Sequence, residues 1–316
     1  MDFNGDGLAD VISGSYSPGY LYLFAKQADG TYAAGETIKD KEGKSIKVGY
    51  ASHVYAADWD NDGDLDLVIG NIQGEVYYVE NEGSRKENSF GKPQKLKVGD
   101  KELRVGHGDS GPILADWDGD GLLDLLVGGG DGSVSFHRNI GTKTEPRLAE
   151  AQVLISPGGW DGDGSRCGVR TKICVTDWND DGRPDLLVGD FATVREPEPD
   201  LTDDQKAERE KAQTEYNAVL KEYQEAVAKT DLGKLYEQYS KLQEGPEDES
   251  AEATKEREKK VQELLKQISE LQEKELKPYL DKLRALAPRL GNRGGSPHGF
   301  VWVFLRQPTA KPAAAN

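Results

Sequence analysis

Cysteine is nearly absent, with two residues in 316, Cys167 and Cys174, so no disulfide framework holds this chain together. Apolar residues make up only 36%, and no hydrophobic run approaches a membrane span. Bases are scarce against acids, 40 to 57, and the resulting net charge of -17 argues against nucleic acid or an anionic membrane as a direct partner. No leader segment is legible, because the sequence opens "MDFNGDG", already inside a motif.

What is present is glycine, 37 residues of it, and charge, at 31% of the chain. The glycine content implies many turns. Glu196 to Leu290 holds 24 acids and 17 bases; the remainder holds 33 and 23, a net of -10. These portions read as different kinds of structure.

One motif recurs four times: "DFNGDGLADVISG" at 2–14, "DWDNDGDLDLVIG" at 58–70, "DWDGDGLLDLLVG" at 116–128 and "DWNDDGRPDLLVG" at 177–189. Short apolar runs precede the later copies ("VYAA", "PILA", "KICVT"). A third run follows a glycine link ("GYLYLF", "GEVYYV", "GSVSFH"), then a turn such as "NEGS" or "NIGT", then a weaker fourth run such as "QKLKV" or "QVLI". Runs of four to six β-branched, aliphatic and aromatic residues between turn residues read as strands. Each unit is therefore a four-stranded antiparallel meander. A lone meander cannot bury its faces, and several arranged radially can, as blades of a β-propeller. The fold class is mainly β: a propeller of about four recognisable blades plus an inserted helical hairpin. A β-sandwich is the alternative.

The pattern D-x-[DN]-x-D-G-x-x-D-L-[LV]-[VI]-G resembles the FG-GAP/VCBS repeats of integrin-alpha-like propellers, over about 1–192 and the strand near 299–306. The resemblance implies a calcium-loaded propeller, secreted or on a cell surface, often with more blades than four.

The loop chemistry agrees with this independently. Calcium takes six to eight oxygens in a flexible shell, and acids at alternate positions of a tight loop point into one hollow. The candidate ligands are Asp2, Asn4, Asp6, the Leu8 carbonyl and Asp10 in the first loop; Asp58, Asp60, Asp62, the Asp64 carbonyl and Asp66 in the second; Asp116, Asp118, Asp120, the Leu122 carbonyl and Asp124 in the third; and Asp177, Asn179, Asp181, the Arg183 carbonyl and Asp185 in the fourth. An EF-hand would supply a glutamate at position 12 between helices; here the last acid is at position 9 and a strand follows. Asp-Gly turns alone explain one acid per turn, not three or four at one point. Four structural Ca²⁺ would bring the non-helical portion from -10 to -2. Magnesium fits less well, because it demands stricter geometry. Catalysis would need an open metal position and a nearby base, and the sequence offers neither.

The fourth motif breaks off after "DLLVGDF", and its third strand returns only at "GFVWVFLR". The expected division is propeller over 1–195, a helical hairpin arm over 196–297, a returning strand over 298–307 and a disordered tail over 308–316. "LTDDQ" is a capping box. Val219, Leu220, Tyr223 and Val227, then Leu264, Leu265, Ile268 and Leu271, recur at helical steps. About 27 residues per helix give an arm of roughly 40 Å, with Pro278 expected to kink the returning helix. The arm reads as a solvated spacer, as a docking element for a partner or a second copy, or as a packing element folded back across the propeller.

The starts of the inner strands hold a second candidate site: Tyr50, Ser52, His53, His107, Asp109, Ser110, Arg170 and Thr171, with Lys172 nearby. The repeated hydroxyls also suit strand-end main-chain groups, and both readings stay open. Phe3, Trp59, Trp117 and Trp178 each stand second in a loop, an inter-blade packing position. A bend at "GVRT" would let Cys167 and Cys174 meet. The function expected is a non-enzymatic extracellular interaction or adhesion module with a protein or glycan partner; the alternative is a lectin or a lyase-like polysaccharide-active protein. The first unit lacks a strand before its loop and the fourth lacks a fourth strand. The chain is therefore a segment of a longer secreted protein, a four-bladed ring with imperfect ends, or one half of a pair of copies.

Overall fold

The computed structural model describes residues 1–160, 167–194, 200–243, 251–290 and 296–307. The half-formed acidic loop after Trp160, the "REPEP" lead-in, the "EGPEDES" loop and the tail from 308 lie outside the described residues. The chain divides into two compact bodies, one of Met1–Val194 with the chain from Pro297 on, the other of Arg195–Ser296.

The first body is mainly β, with four antiparallel sheets in chain order. The first holds β1 (Val11–Gly14), β2 (Leu21–Phe24) and β3 (Glu36–Thr37); the second holds β4 (His53–Ala57), β5 (Asp66–Gly70), β6 (Val76–Val79) and β7 (Gln94–Lys95). A small hairpin, β8 (Lys97–Val98) with β9 (Lys101–Glu102), follows. The third sheet holds β10 (Gly111–Ala115), β11 (Asp124–Gly128), β12 (Val134–His137) and β13 (Gln152–Ile155). The fourth holds β14 (Val169–Thr176) and β15 (Asp185–Val194), with β16 (Ser296–His298) and β17 (Val301–Phe304) both on β15. Register repeats with the sequence: the last acid of each later loop opens the second strand, opposite Ala57, Ala115 and Thr176.

Side chains on successive strand residues point to opposite faces, and in β5 and β11 both faces are buried. Leu67 and Ile69 of β5 join Phe3, Leu21 and Phe90 in one core, while Val68 turns the other way to meet Trp59, Leu125 and Val127 in a second. Leu126 in turn meets Leu186 and Val188 in a third. Three cores thus join the four sheets pairwise in chain order, and among the described residues none joins the fourth to the first. Main chains approach closely at each joint. Gly14, Gly70 and Gly128 end their strands against the carbonyls of Ser52, Ser110 and Thr171 of the next sheet, where a Cβ would overlap.

One expectation fails here, and one question the sequence left open is answered. Phe3 and Trp59 are buried and Trp117 half-buried, but Trp178 lies open, because among the described residues no sheet packs over that face of the fourth. Cys167 and Cys174 are both free. The chain does not bend back between them but runs into β14, and seven residues at strand rise separate their Cα atoms by on the order of 20 Å.

The second body is helical. Thr202 caps α1 (Asp203–Ala228) in a reciprocal capping box with Gln205. After the break at 229–231 comes α2 (Leu232–Gln243), and α3 (Ala251–Leu271) returns along it. A π-turn at 272–276 precedes α4 (Lys277–Leu286), with Pro278 in its first turn, so the distortion lies one turn upstream of the proline. Leu232, Ile268 and Leu276 form its core with Tyr223, Val227 and Leu271. Arg209 Nε donates to the Leu290 carbonyl and Arg289 pairs with Glu208 and Glu215, which brings the two ends of the insertion side by side.

Candidate metal centres

Each acidic loop is built by the same set of main-chain bonds. The first acid gathers the loop interior: Asp58 Oδ1 and Oδ2 accept from the amides of Asp62 and Gly63, both at 3.1 Å, and Asp2 and Asp177 do the same in their loops. Asp116 accepts from Gly119 and Gly121. The fifth-position acid accepts from the amide two residues on, as Asp62 does from Asp64 and Asp120 from Leu122. Gly63 has φ +102°, which permits the reversal that closes the ring.

The last acid is a clamp. Asp66 Oδ2 accepts from Trp59 N at 3.1 Å and Oδ1 from Asn81 N at 2.9 Å; Asp124 holds Trp117 N and Asn139 N; Asp10 holds Phe3 N and Lys26 N; Asp185 holds Trp178 N and Arg306 N. One carboxylate thus ties the loop's second residue to the end of the third strand. Each oxygen keeps a lone pair for an ion.

The carboxyls of Asp58, Asp60 and Asp62 offer oxygens within 4.8 Å of one another, as do those of Asp116, Asp118 and Asp120. Asn4 and Asn179 stand at the corresponding place in the other two loops, and each accepts from the amide two residues on. The second loop carries the densest charge. Asp60 Oδ1 and Asp64 Oδ1 are buried without a hydrogen-bond partner. Burial, followed by repulsion from Asp62 and its neighbours, pushes the Asp64 carboxyl up to about 6; Asp66 rises to about 6 mainly through burial. The third loop differs: Arg138 places Nε 2.6 Å from Asp118 and Nη2 2.8 Å from Asp120. The matching residue of the second sheet is Glu80. In the fourth loop Arg183 pairs with Asp181.

At the starts of the inner strands, Ser110 and Thr171 are fully buried and spent on the main chain. Ser110 Oγ accepts from Asn71 N and donates to the Glu75 carbonyl; Thr171 Oγ1 accepts from Gly129 N and donates to the Ser133 carbonyl. Ser52 donates to the Gly19 carbonyl at 2.7 Å. These hydroxyls staple neighbouring sheets, which removes Ser110 and Thr171 from any ligand surface. The residues just before them, Ala51, Asp109 and Arg170, all have φ between 51° and 56°, strained for non-glycine residues.

Asp109 is the hub of what remains. Lys172 Nζ lies 3.1 Å from Asp109 Oδ1, Arg170 Nε 3.7 Å from Oδ2, and burial with the nearby Lys172 charge lowers His53 to about 4. The Arg170 guanidinium sits over the exposed ring of Trp160, which packs edge-on against Phe191. Tyr50 and His107 share no hydrogen bond or ion pair with this group among the described residues. Sequence reasoning missed Trp160 here, since its repeat register gives it no counterpart. It also missed Asn81 and Asn139, although "NEGS" and "NIGT" stood in matching places: each is buried and caps its turn through two amide-to-Oδ1 bonds.

Comparison with known proteins follows the same repeat. The model of an FG-GAP-like repeat matches at 2–69, 58–127 and 116–188. Cartilage acidic protein 1 of Mus musculus is 31% identical over 140 residues, covering 41% of this chain and 20% of the relative; the Homo sapiens protein is 30% identical over 140 residues, 41% and 19%. The chain spans about a fifth of the length of these relatives. Among solved structures, the Tc holotoxin pore of Photorhabdus luminescens aligns with a TM-score of 0.38 at 23% identity, over 60% of this chain and 8% of the other. An Agrocybe aegerita lectin recognising non-reducing terminal N-acetylglucosamine aligns with a TM-score of 0.36 at 22% identity, over 59% and 44%.

Proposed function

Because the chain belongs to the FG-GAP-like repeat family, we propose that it is a calcium-stabilised β-propeller module, secreted and without enzymatic activity, that presents a surface to a protein or glycan partner. The four sheets are its blades. The observation that carries the calcium reading is the pair of buried, partnerless oxygens of Asp60 and Asp64, set among three further carboxylates in one loop. Leaving such groups bare costs stability, and a hard cation with oxygen ligands removes the cost. Asp58, Asp60, Asp62 and the residue-64 carbonyl would hold it, with Asp66 behind them. The bound ion supplies charge neutralisation and fixes the loop between two strands. Weak-site calcium modules work at the calcium levels found outside cells, which fits relatives named for cartilage.

Calorimetric titration with Ca²⁺ and melting in Ca²⁺, Mg²⁺ and EDTA test the reading. Saturable heat and a higher melting temperature in calcium support it; identical curves in calcium and EDTA refute it. The glycan reading has its own support in exposed Trp160 with Arg170 and Asp109 beside it, an aromatic face with polar groups at its rim. A glycan array in calcium separates the partners. Sugar binding lost in Trp160→Ala favours the glycan; a blank array favours a protein.

A further inference from the structure

The repeat allows each position to be compared with its counterparts, and two faces depart from the pattern. On the fourth sheet, Trp178 is 59% exposed, whereas Phe3 and Trp59 are 1% and 4% exposed because each inserts into the following sheet. Val301 is 72% exposed, although Leu21, Val76 and Val134 at the same register are fully buried. Cys174 is exposed where Ile113 is buried. Gly189 stands at the register position of Gly14, Gly70 and Gly128, yet a Cβ there would meet nothing nearer than the Lys172 carbonyl at 3.7 Å. The fourth sheet therefore keeps the aromatic knob, the β-branched contact and the slim glycine of a sheet-to-sheet joint, left open among the described residues.

The first sheet keeps the receiving half. Trp59 is received in the third sheet by Leu125, Val127 and Leu148, with its Nε1 donating to the Leu123 carbonyl. The counterparts in the first sheet are Val11, Ser13, Tyr32 and Ala9, the pairing of Lys26 with Tyr32 matching that of Asn139 with Leu148. Val11 is 44% exposed and Tyr32 48%, while Leu67, Leu125, Phe90 and Leu148 are buried.

Knob and hole thus lie open at opposite ends of one row of sheets. We propose that the fourth-sheet face of one copy docks onto the first-sheet face of a second copy, head to tail, with Trp178 seated against Val11 and Tyr32. The joint repeats one that this chain already forms three times internally, which is why a second copy is the occupant. Such a contact is heterologous: it uses two different surfaces and passes from copy to copy until a ring closes. The inference rests on the packing of the repeats and not on the calcium reading.

Sedimentation of the full chain in calcium, up to about 100 μM, where an interface of ordinary size registers, tests it. The mass should rise with concentration. Trp178→Ala should weaken association at least tenfold, as burial of a tryptophan at the centre of a joint implies. Trp178→Asp and Val11→Asp should each be monomeric alone with unchanged circular dichroism, both side chains being exposed in the single copy. Mixed, they should form a one-to-one dimer and nothing larger, because one intact knob meets one intact hole. Maleimide labelling of Cys174 should slow on association. A chain that stays monomeric across the range overturns the proposal. So does a wild type that associates while the mixed variants do not, since that places the contact elsewhere, for instance on the helical arm.

Discussion

Trp59→Ala should weaken the first body far more than the same change at Trp178. Trp59 is buried between the second and third sheets, edge-on to Tyr78 at 5.2 Å, with its indole N–H 3.1 Å from the Leu123 carbonyl. Truncating a buried tryptophan costs about 3–5 kcal/mol, and the cavity dominates. The Leu123 carbonyl is not left bare, because Asn139 Nδ2 also donates to it at 3.3 Å, so no large unsatisfied-acceptor penalty is added. For a β body of this size each kcal/mol moves the melting temperature by about 2–4 °C, giving a fall of about 6–20 °C. Trp178→Ala removes an exposed ring and should change stability by less than about 0.5 kcal/mol in dilute, monomeric protein. Far-UV circular dichroism in calcium, by heat and by urea, measures both. Because the sheets are coupled chiefly to their neighbours, damage at one joint should also broaden the transition. Equal shifts for the two variants would refute the assignment of the loop aromatics to the joints.

Three further outcomes are expected. Asp124→Asn replaces an acceptor of two main-chain amides by a group that offers one acceptor and one donor, and in EDTA should cost about 1.5–3 kcal/mol by urea midpoint. For the calcium-free protein, Asp64 and Asp66 titrate near 6 when folded against an ordinary value of 3.8. The folded state then holds more protons between about 4 and 6, so this loop's contribution to stability falls as pH rises through that window, and Asp64→Asn should flatten the fall in melts recorded in EDTA. Calcium binding releases those protons, so affinity should climb over the same window and level off above it. Finally, Arg138 is bonded to two of the third loop's acids; Arg138→Gln should tighten calcium at that loop severalfold, measured as a change in one class of sites by calorimetry.

The repeat, its family and the order of strands were legible because a two-residue period and a fixed acidic loop recur at fixed spacing. The capping box at Thr202 was legible for the same reason, being a local pattern with a local cause. What escaped depended on contacts between distant residues. A main-chain role for the Ser110 and Thr171 hydroxyls was open from the sequence, but nothing local names their partners on the neighbouring sheet, since Asn71 and Gly129 are about 40 residues away. Nor does "FHRN" indicate that Arg138 reaches the loop 18 residues earlier. Trp178 was misjudged because the repeat fixes a residue's orientation, and only tertiary structure says whether a neighbour is there to cover it. The last acids were rightly placed in the loops by spacing, but their second occupation, holding the third strand by Asn81 and Asn139, appears only once the strands are paired.

The insertion of the helical arm has a consequence for how the fourth sheet comes together. Gly189 must find Val301 as Gly70 finds Val76, across a stretch of chain roughly twentyfold longer. Closing a flexible loop of that length would cost about 3 kcal/mol more than closing the short link. The arm folds back on itself, however, with Arg209 joined to Leu290 and Arg289 to Glu208 and Glu215. A formed arm delivers its two ends together and restores an effectively local contact. Damage to its base should therefore be felt as slower completion of the fourth sheet, even where every contact inside that sheet is intact.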